Sequence, residues 1–427
     1  MKKPELKKLQ NGMSAMLIPQ ASAESMTVLV LTRVGSRYET KDINGASHFI
    51  EHLMFKGTKK RPTTEHISRE LDRYGAEYNA YTGKDVTGYY IKMDAKHTNL
   101  AIDMLYDMIF QSKYDQKEID RERGVIIEEI NMYEDNPRMH IEDLLEEKLF
   151  PGSTLGWNIA GPREVIRKVT REQLITYRDS YYIPERMTVI VAGKIIPGIV
   201  DILQKTFGSV KRISGKDTKF IPFTPPKKLS DAHGCQAKET EQVQFGMAFH
   251  SVKTGHKNEA AASLLANILG GTMSSRLFIQ IRERRGLCYS IHASQQGLED
   301  TGIFAIMAGL EKNRIDEAMK AIVVELTKVL KSGITSEELR RAKDNIRGRI
   351  TLGFEDSATQ AGWYGKQWLF EGTRETPEDK MKRLEKVTRA DIKKVARCIF
   401  NPALMATAVI GPASCTTNLA KHLTWKK

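Results

Sequence analysis

The stretch NGASHFIEHLMFKGT, residues 44–58, contains two histidines four residues apart, with a glutamate directly before the second. Residues four apart lie on one face of an α-helix, so His48 and His52 can direct their imidazoles to a common point. Neutral imidazole suits Zn²⁺, and two nitrogens plus one carboxylate leave a coordination position for water. Glu51 is placed to accept a proton from that water and return it to a leaving amine. The alternative is an amphipathic helix whose histidines share a face without binding metal.

A third metal ligand would have to come from another element. Residues 115–134 predict a helix on which Glu118, Glu122 and Glu129 share a face, because spacings of four and seven return near the same angle. Charged residues on one face are also typical of simple solvent exposure. Apolar residues on both sides of Glu129 favour its placement against the protein body. Glu129 is therefore a candidate for the missing carboxylate.

Length and composition describe a globular chain of more than one domain. The chain has 427 residues, of which 41% are hydrophobic and 28% charged. No apolar run is long enough for a transmembrane helix, and the basic N-terminus lacks the features of a signal peptide. Four cysteines without CxxC pairing favour a reducing compartment and argue against a zinc ribbon or a disulfide scaffold. Nothing near any cysteine supports nucleophilic catalysis, and a cytoplasmic location is expected.

The formal net charge of +13 raises the question of a nucleic-acid or anionic partner. The basic residues, however, are spread along amphipathic segments and mixed with acids, and the densest clusters are short and lack interleaved aromatic residues. A solvated surface is the preferred interpretation, with no nucleic acid and no membrane among the partners. A preference for acidic segments in a peptide substrate stays open.

The order of predicted elements suggests a duplicated α+β unit. We predict an N-terminal domain at 1–212, a linker at 213–234 and a second, similar domain at 235–427, each with a mostly antiparallel sheet flanked by helices. The sequences YYIPERMTVIVAG and IFNPALMATAVIG match at an offset of 218 residues, with their Pro and Gly in register.

The second copy lacks the polar residues of the first. Aligning the Gly-Thr pairs at 57–58 and 271–272 places apolar side chains opposite the His-Glu-His set: Ala262, Leu265 and Ala266. A further match places Ile350 opposite Glu129. The sequence therefore predicts one metal site in each chain.

HFIEHLMFKGT, followed at a distance by Glu129 within ERGVIIEEI, resembles the pitrilysin/insulinase zinc metallopeptidases, and in particular the two-domain processing-peptidase branch. The resemblance spans essentially the whole chain, and HxxEH with a glutamate 76 residues later is a specific pattern. It implies that His48, His52 and Glu129 bind one Zn²⁺ per chain. Glu51 is then the general base, and Glu122 supports the site without binding zinc.

The resemblance also implies two functions outside the metal ligands. Arg282 and Tyr289, within RERRGLCY, match a pair in which the tyrosine stabilises the oxyanion and the arginine holds the substrate or that tyrosine. The strand 77–81 would be an exposed edge to which an extended peptide adds as a further strand, with Asn79, Ala80 and Tyr81 nearest the substrate. Without the resemblance, the sequence predicts only that Arg282 is a surface residue and that residues 77–81 are part of an ordinary hairpin.

Larger relatives enclose peptides in a chamber of four such domains. This chain would then supply half of a clam-shell chamber and pair with a second chain. Because it carries both motifs, a homodimer is expected, with a heterodimer as the alternative, and Arg282 and Tyr289 would complete the partner's site. The leading function is zinc endopeptidase acting on extended or unfolded peptides; the alternative is a catalytically silent assembly subunit of a hetero-oligomeric complex. The sequence does not reveal the physiological substrate or the cleavage preference.

Overall fold

The computed structural model describes residues 3–211 and 220–412. Residues 213–219 of the predicted linker, and Cys415, lie outside the described residues; Cys288 and Cys398 are free thiols. The chain divides into two compact units. The first unit contains Met1–Ile130, Asn158–Ile221 and Thr351–Pro377. The second unit contains Asn131–Trp157, Pro222–Ile350 and Glu378–Lys427.

The first unit is built on a six-stranded sheet. Its strands are β1 Glu5–Lys8, β2 Ser14–Pro19, β3 Ser25–Thr32, β4 Glu77–Thr82, β5 Thr87–Asp94 and β6 Met187–Gly193. They lie in the order β1-β2-β6-β3-β5-β4, and every neighbouring pair is antiparallel except β2 with β6. β6 reads MTVIVAG and is buried along its whole length, as its central position requires. β4 is the edge strand at one side.

Helices cover the first sheet. They are α1 Ala46–Leu53, α2 Thr64–Asp72, α3 Thr98–Gln111, α4 Gln116–Asp135, α6 Arg163–Lys168, α7 Arg171–Tyr181, α8 Ile199–Lys205 and α12 Ser357–Glu371. α1 and α3 pack on one face, in one core with Val28, Val30 and Ile91. The other face carries α12, which packs on β3 and β6.

The second unit contains a five-stranded sheet. Its strands are β7 His233–Ala237, β8 Gln242–Ser251, β9 Cys288–Gly297, β10 Gly302–Glu311 and β11 Met405–Gly411. They lie in the order β7-β11-β8-β10-β9, with only β7 and β11 parallel. Its helices are α5 Pro137–Leu149, α9 Glu259–Gly270, α10 Ile315–Ser332, α11 Ser336–Gly353, α13 Pro377–Lys386 and α14 Arg389–Ile399. α5 packs on β8 and β11.

The two sheets share their strand order and directions. The series β2-β6-β3-β5-β4 corresponds strand by strand to β7-β11-β8-β10-β9, and in each series the first pair is parallel and the others antiparallel. The prediction of an α+β chain with two similar, mostly antiparallel sheets flanked by helices is confirmed. In the second copy, Ala262, Leu265 and Ala266 lie on α9 and are buried apolar residues of the core, as the proposed register predicts.

The contact units depart from a linear division of the chain. α5 precedes residue 212 but packs on the second sheet, and α12 follows residue 235 but packs on the first. β7 begins at His233, so the last two residues of the predicted 213–234 linker belong to a strand. The boundaries 1–212 and 235–427 therefore stay a prediction about sequence domains. Among the described helices, none combines the length and apolar composition that crossing a bilayer requires.

Candidate metal centre

The helix α1 begins at a point that the surrounding structure defines closely. Gly45 precedes it with φ 99°, and a Cβ there would lie 2.5 Å from the Ala160 carbonyl oxygen, so a side chain is excluded. The buried Glu39 carboxylate accepts hydrogen bonds from the backbone N–H of Gly45 and of Ser47, each at 2.7 Å. These bonds satisfy donors that a helix start leaves unpaired, and the negative charge suits the N-terminal end of the helix dipole. Burial raises the pKa of Glu39, and its hydrogen bonds oppose that shift.

The two faces of α1 have different chemistry. Phe49, Ile50 and Leu53 are at most 1% exposed and pack in the core of the first unit. Burial of side chains of this size contributes roughly 1.5–3 kcal/mol each, which anchors the helix. The 3.6-residue period then turns His48 and His52 away from the core and towards α4.

The structure brings His48, His52 and Glu129 together. The Nε2 atoms of the two histidines are 3.1 Å apart, and Oε2 of Glu129 lies 3.6 Å from Nε2 of His48 and 3.3 Å from Nε2 of His52. Zinc bonds of about 2.1 Å at tetrahedral angles place ligand atoms about 3.4 Å apart, so the spacing fits a zinc ion. Among residues 3–211 and 220–412, these three side chains form the one group with this metal-binding potential.

Glu122 contacts the nitrogen of His52 that does not face His48. Its Oε1 lies 2.8 Å from Nδ1 of His52, and its Oε2 lies 2.7 Å from Nζ of Lys56. The Glu122 carboxylate, which is 1% exposed, accepts a hydrogen bond from Nδ1–H of His52, so Nε2 is the nitrogen available to a metal. Lys56 supplies the positive charge that a buried carboxylate needs. Glu118, on the same helix, instead pairs with Arg121 at 2.6 Å.

The electrostatics of the cluster favour a cation. Burial opposes a proton on His52, but the hydrogen bonds and negative charges of Glu122 and Glu129 outweigh it and raise its pKa to about 9. Burial, and then the charge of His52, lower the pKa of His48 to about 4. The hydrogen bond with His52 lowers the pKa of Glu129 despite its partial burial. Without metal, one proton on His52 balances the carboxylates; a divalent cation at Nε2 would replace it.

Glu51 faces a different neighbour. Its Oε2 accepts a hydrogen bond from the hydroxyl of Thr82, the last residue of β4. Burial raises the pKa of Glu51, Thr82 and His52 oppose this shift, and the charge of Glu129 adds to it. A carboxylate with a raised pKa is a better proton acceptor, and the Thr82 bond fixes its orientation. Glu51 therefore has the chemistry of a general base beside the cluster.

The predicted substrate strand is an edge strand. β4 pairs with β5 on one side, and Asn79, Ala80 and Tyr81 lie at its centre. Ala80 faces the core that contains α1 and is 9% exposed, whereas Tyr81 packs over Gly88 on the opposite face. The free edge of β4 offers backbone donors and acceptors to an additional strand.

Arg282 and Tyr289 lie together in the second unit. Arg282 belongs to the helical turn Phe278–Glu283 and Tyr289 to β9, and the guanidinium carbon lies 5.6 Å from the centre of the tyrosine ring. Tyr289 is 70% exposed, so its hydroxyl is accessible. The Arg282 guanidinium also lies 4.6 Å from the ring of Phe278, which restricts its position.

The sequence reasoning missed three residues that support the cluster: Glu39, Lys56 and Thr82. Lys56 lies four residues after His52, just beyond the end of α1 at Leu53, and this closeness in sequence could have indicated a shared partner. The contacts of Glu39 with the α1 N-terminus and of Thr82 with Glu51 leave no comparable pattern, because they join different elements.

The sequence and structure are similar to known proteins along nearly their whole length. The model of the insulinase family (peptidase family M16) matches residues 15–163, and the model described as the peptidase M16 inactive domain matches residues 168–346. A Bacillus subtilis protein named uncharacterized zinc protease YmxG is 35% identical over 95% of this chain and 97% of its own. A Streptomyces coelicolor protein, also named an uncharacterized zinc protease, is 33% identical over 95% of this chain and 88% of its own.

The fold is also similar to that of solved structures. The crystal structure of a protease from Helicobacter pylori superposes with a TM-score of 0.90 and 24% identity, over 96% of this chain and 99% of that one. The names of the sequence relatives support a peptidase role and zinc as the metal. By its sequence matches, the chain belongs to the insulinase family of peptidases, family M16.

Proposed function

We propose that this chain is a zinc-dependent endopeptidase that hydrolyses extended or unfolded peptides. The observation that carries the proposal is the cluster of His48, His52 and Glu129, whose ligand atoms have the mutual spacing of a tetrahedral zinc site. Family membership and the names of the relatives support the same conclusion.

His48, His52 and Glu129 would hold one Zn²⁺ per chain, with Glu122 positioning His52. When bound, the ion lowers the pKa of a water molecule towards neutrality and polarises the scissile carbonyl. Glu51 accepts the proton from the attacking water and donates it to the nitrogen of the leaving amine. The Thr82 hydroxyl keeps the Glu51 carboxylate turned in one direction during both transfers.

The substrate would bind as a strand along the free edge of β4, beside Asn79, Ala80 and Tyr81. Backbone hydrogen bonds do not depend on the identity of the side chains and can form only with an extended chain. Binding of this kind accounts for a broad specificity for unfolded peptides. Thr82 ends this strand and contacts Glu51, so a peptide bound along β4 reaches the general base.

Arg282 and Tyr289 would act on the carbonyl group of the scissile bond. The exposed Tyr289 hydroxyl donates a hydrogen bond to the developing oxyanion, and Arg282 holds the ring or the substrate. We place this pair at the metal centre of a second copy in a homodimer, each chain supplying half of a closed chamber, in the cytoplasm. A heterodimer is the competing arrangement.

The test of the chemistry is Glu51→Gln. This variant keeps all three metal ligands but has no carboxylate to accept a proton, so it retains zinc and loses cleavage of an unfolded peptide by about 10²-fold or more. Glu118→Gln is the control on the same helix as Glu129 and keeps full activity. Undiminished cleavage by Glu51→Gln contradicts the assignment.

The test of the dimer uses two inactive variants. Tyr289→Phe and Glu51→Gln are mixed after dissociation and reassociation. If the pair acts across the dimer, mixed dimers contain one chain with intact Glu51 facing a partner with intact Tyr289, and they recover activity. If the mixed dimers recover no activity, Arg282 and Tyr289 do not act in the partner's site.

A catalytically silent assembly subunit is the other function considered for this family. Such a subunit has no need of the complete set of His48, Glu51, His52 and Glu129. Measuring the zinc content of the purified chain together with cleavage of a quenched fluorescent peptide separates the two functions.

A further inference from the structure

A lysine of α12 lies close to the edge strand β4 of the first sheet. Lys366 is exposed on α12, and its ammonium lies 5.4 Å from the centre of the Tyr81 ring. No carboxylate in the described part of the chain pairs with it, whereas Lys92 of the same sheet pairs with Asp356. Surrounding protein atoms disfavour its charge and lower the pKa of Lys366.

Strand alternation defines the face on which Lys366 lies. Ala80 and Thr82 face α1, and Thr82 contacts Glu51. Tyr81 lies between them in sequence and therefore faces the opposite side, towards α12, where its ring packs over Gly88. A peptide added to the free edge of β4 follows the same alternation. Its side chains would face the metal cluster and the Lys366 side in turn.

The chemistry on the Lys366 side favours a negative substrate group. The Tyr81 ring provides an apolar surface next to an ammonium that pairs with no carboxylate among residues 3–211 and 220–412. An acidic side chain can pair with this ammonium, whereas a basic one is repelled. At the other end of β4 the same face carries Glu77, which lies 3.4 Å from Lys92, so the positive charge is already balanced there.

We propose that Lys366 and Tyr81 form a specificity subsite that selects an acidic side chain, Asp or Glu, on the substrate face pointing away from the zinc. The subsite rests on the proposed peptidase function and on the binding of substrate along β4. It gives the site a substrate class, extended peptides with an acidic residue close to the cleaved bond. Because the subsite acts in binding, it changes KM more than kcat.

The experiment compares quenched fluorescent peptides that differ only in Asp against Asn at each successive position around the cleaved bond. In the zinc-loaded wild-type chain, we expect Asp to be preferred about fivefold in kcat/KM at one position or at positions two apart, and less at high salt. Fivefold corresponds to about 1 kcal/mol, as for an accessible ion pair. Lys366→Met removes the preference, Lys366→Arg keeps it, and Lys366→Glu reverses it in favour of Asn. Lys205→Met, an exposed change of equal charge on α8, leaves it intact.

Equal Asp to Asn ratios in wild type and Lys366→Met, with the neutral peptide cleaved normally, overturn the subsite and leave the peptidase function standing. If the zinc-loaded chain cleaves none of the peptides, the peptidase function fails, and the subsite fails with it.

Discussion

Removal of the Glu122 carboxylate should weaken zinc binding although Glu122 is not a predicted ligand. Its two oxygens hold Nδ1 of His52 at 2.8 Å and Nζ of Lys56 at 2.7 Å, and the side chain is 1% exposed. Residues that orient metal ligands typically contribute 10- to 100-fold to metal affinity. Glu122→Gln keeps an acceptor for His52 but loses the charge, so we expect the zinc dissociation constant to rise about tenfold. Glu122→Ala also leaves two polar groups without a partner, and about 100-fold is expected.

The assay is competition for Zn²⁺ between the purified chain and a chromophoric chelator at pH 7.5. Glu118→Gln is the matched control, because Glu118 lies one helical turn earlier on α4 and contacts Arg121 instead of the cluster. Thermal unfolding of the metal-free chains separates loss of affinity from loss of the fold. Wild-type zinc affinity in both Glu122 variants would refute the positioning role, and equal weakening in Glu118→Gln would attribute the effect to general charge.

The other predictions concern the base, the helix that carries the ligands and a buried histidine. Thr82→Val removes the hydrogen bond that orients the Glu51 carboxylate, so kcat should fall about tenfold with the zinc content unchanged. Thr82→Ser keeps a hydroxyl and should keep most of the activity. Loss of zinc from the Thr82→Val variant would contradict this prediction. Phe49→Ala should cost about 3–5 kcal/mol of unfolding free energy in urea titrations, because the ring is fully buried. Gly45→Ala should also destabilise the fold, since its Cβ would meet a backbone oxygen at 2.5 Å. His250 packs against the rings of Phe150 and Phe223, and burial lowers its pKa to about 4. The contribution of neutral His250 to the free energy of unfolding is complete above the unfolded pKa of about 6.5 and is lost as the pH falls towards 4, by up to about 3 kcal/mol. His250→Phe should therefore make the free energy of unfolding less dependent on pH in this range.

Local periodicity made much of the fold predictable. The alternation of buried and less buried residues in β5 and the nearly continuous apolar runs of β3 and β6 are local patterns that the sequence alone shows. The end of α4 before Pro137 follows from the restriction that proline places on the preceding residue. The duplicated topology was visible because β6 and β11 match at a constant offset.

The remaining structure depends on contacts between distant parts of the chain. α5 and α12 follow their neighbours in sequence but pack on the other copy's sheet, and an amphipathic period does not reveal which apolar surface a helix covers. The short edge strand β7 carries no alternation and owes its place to pairing with β11. His48 and His52 could be paired from spacing alone. The support of Glu51 by Thr82, 31 residues away, could not, because a hydroxyl at a strand end has many possible partners.

The central claim is that a single zinc ion held by His48, His52 and Glu129 is required for peptide cleavage. The most direct measurement titrates Zn²⁺ into the chelator-stripped chain while cleavage of an unfolded peptide is followed. We expect no cleavage without metal, a linear rise, and a break at one ion per chain, with no rise in Glu129→Gln at the same concentrations. Cleavage by the metal-free chain, or full restoration in Glu129→Gln at one ion per chain, would contradict the account.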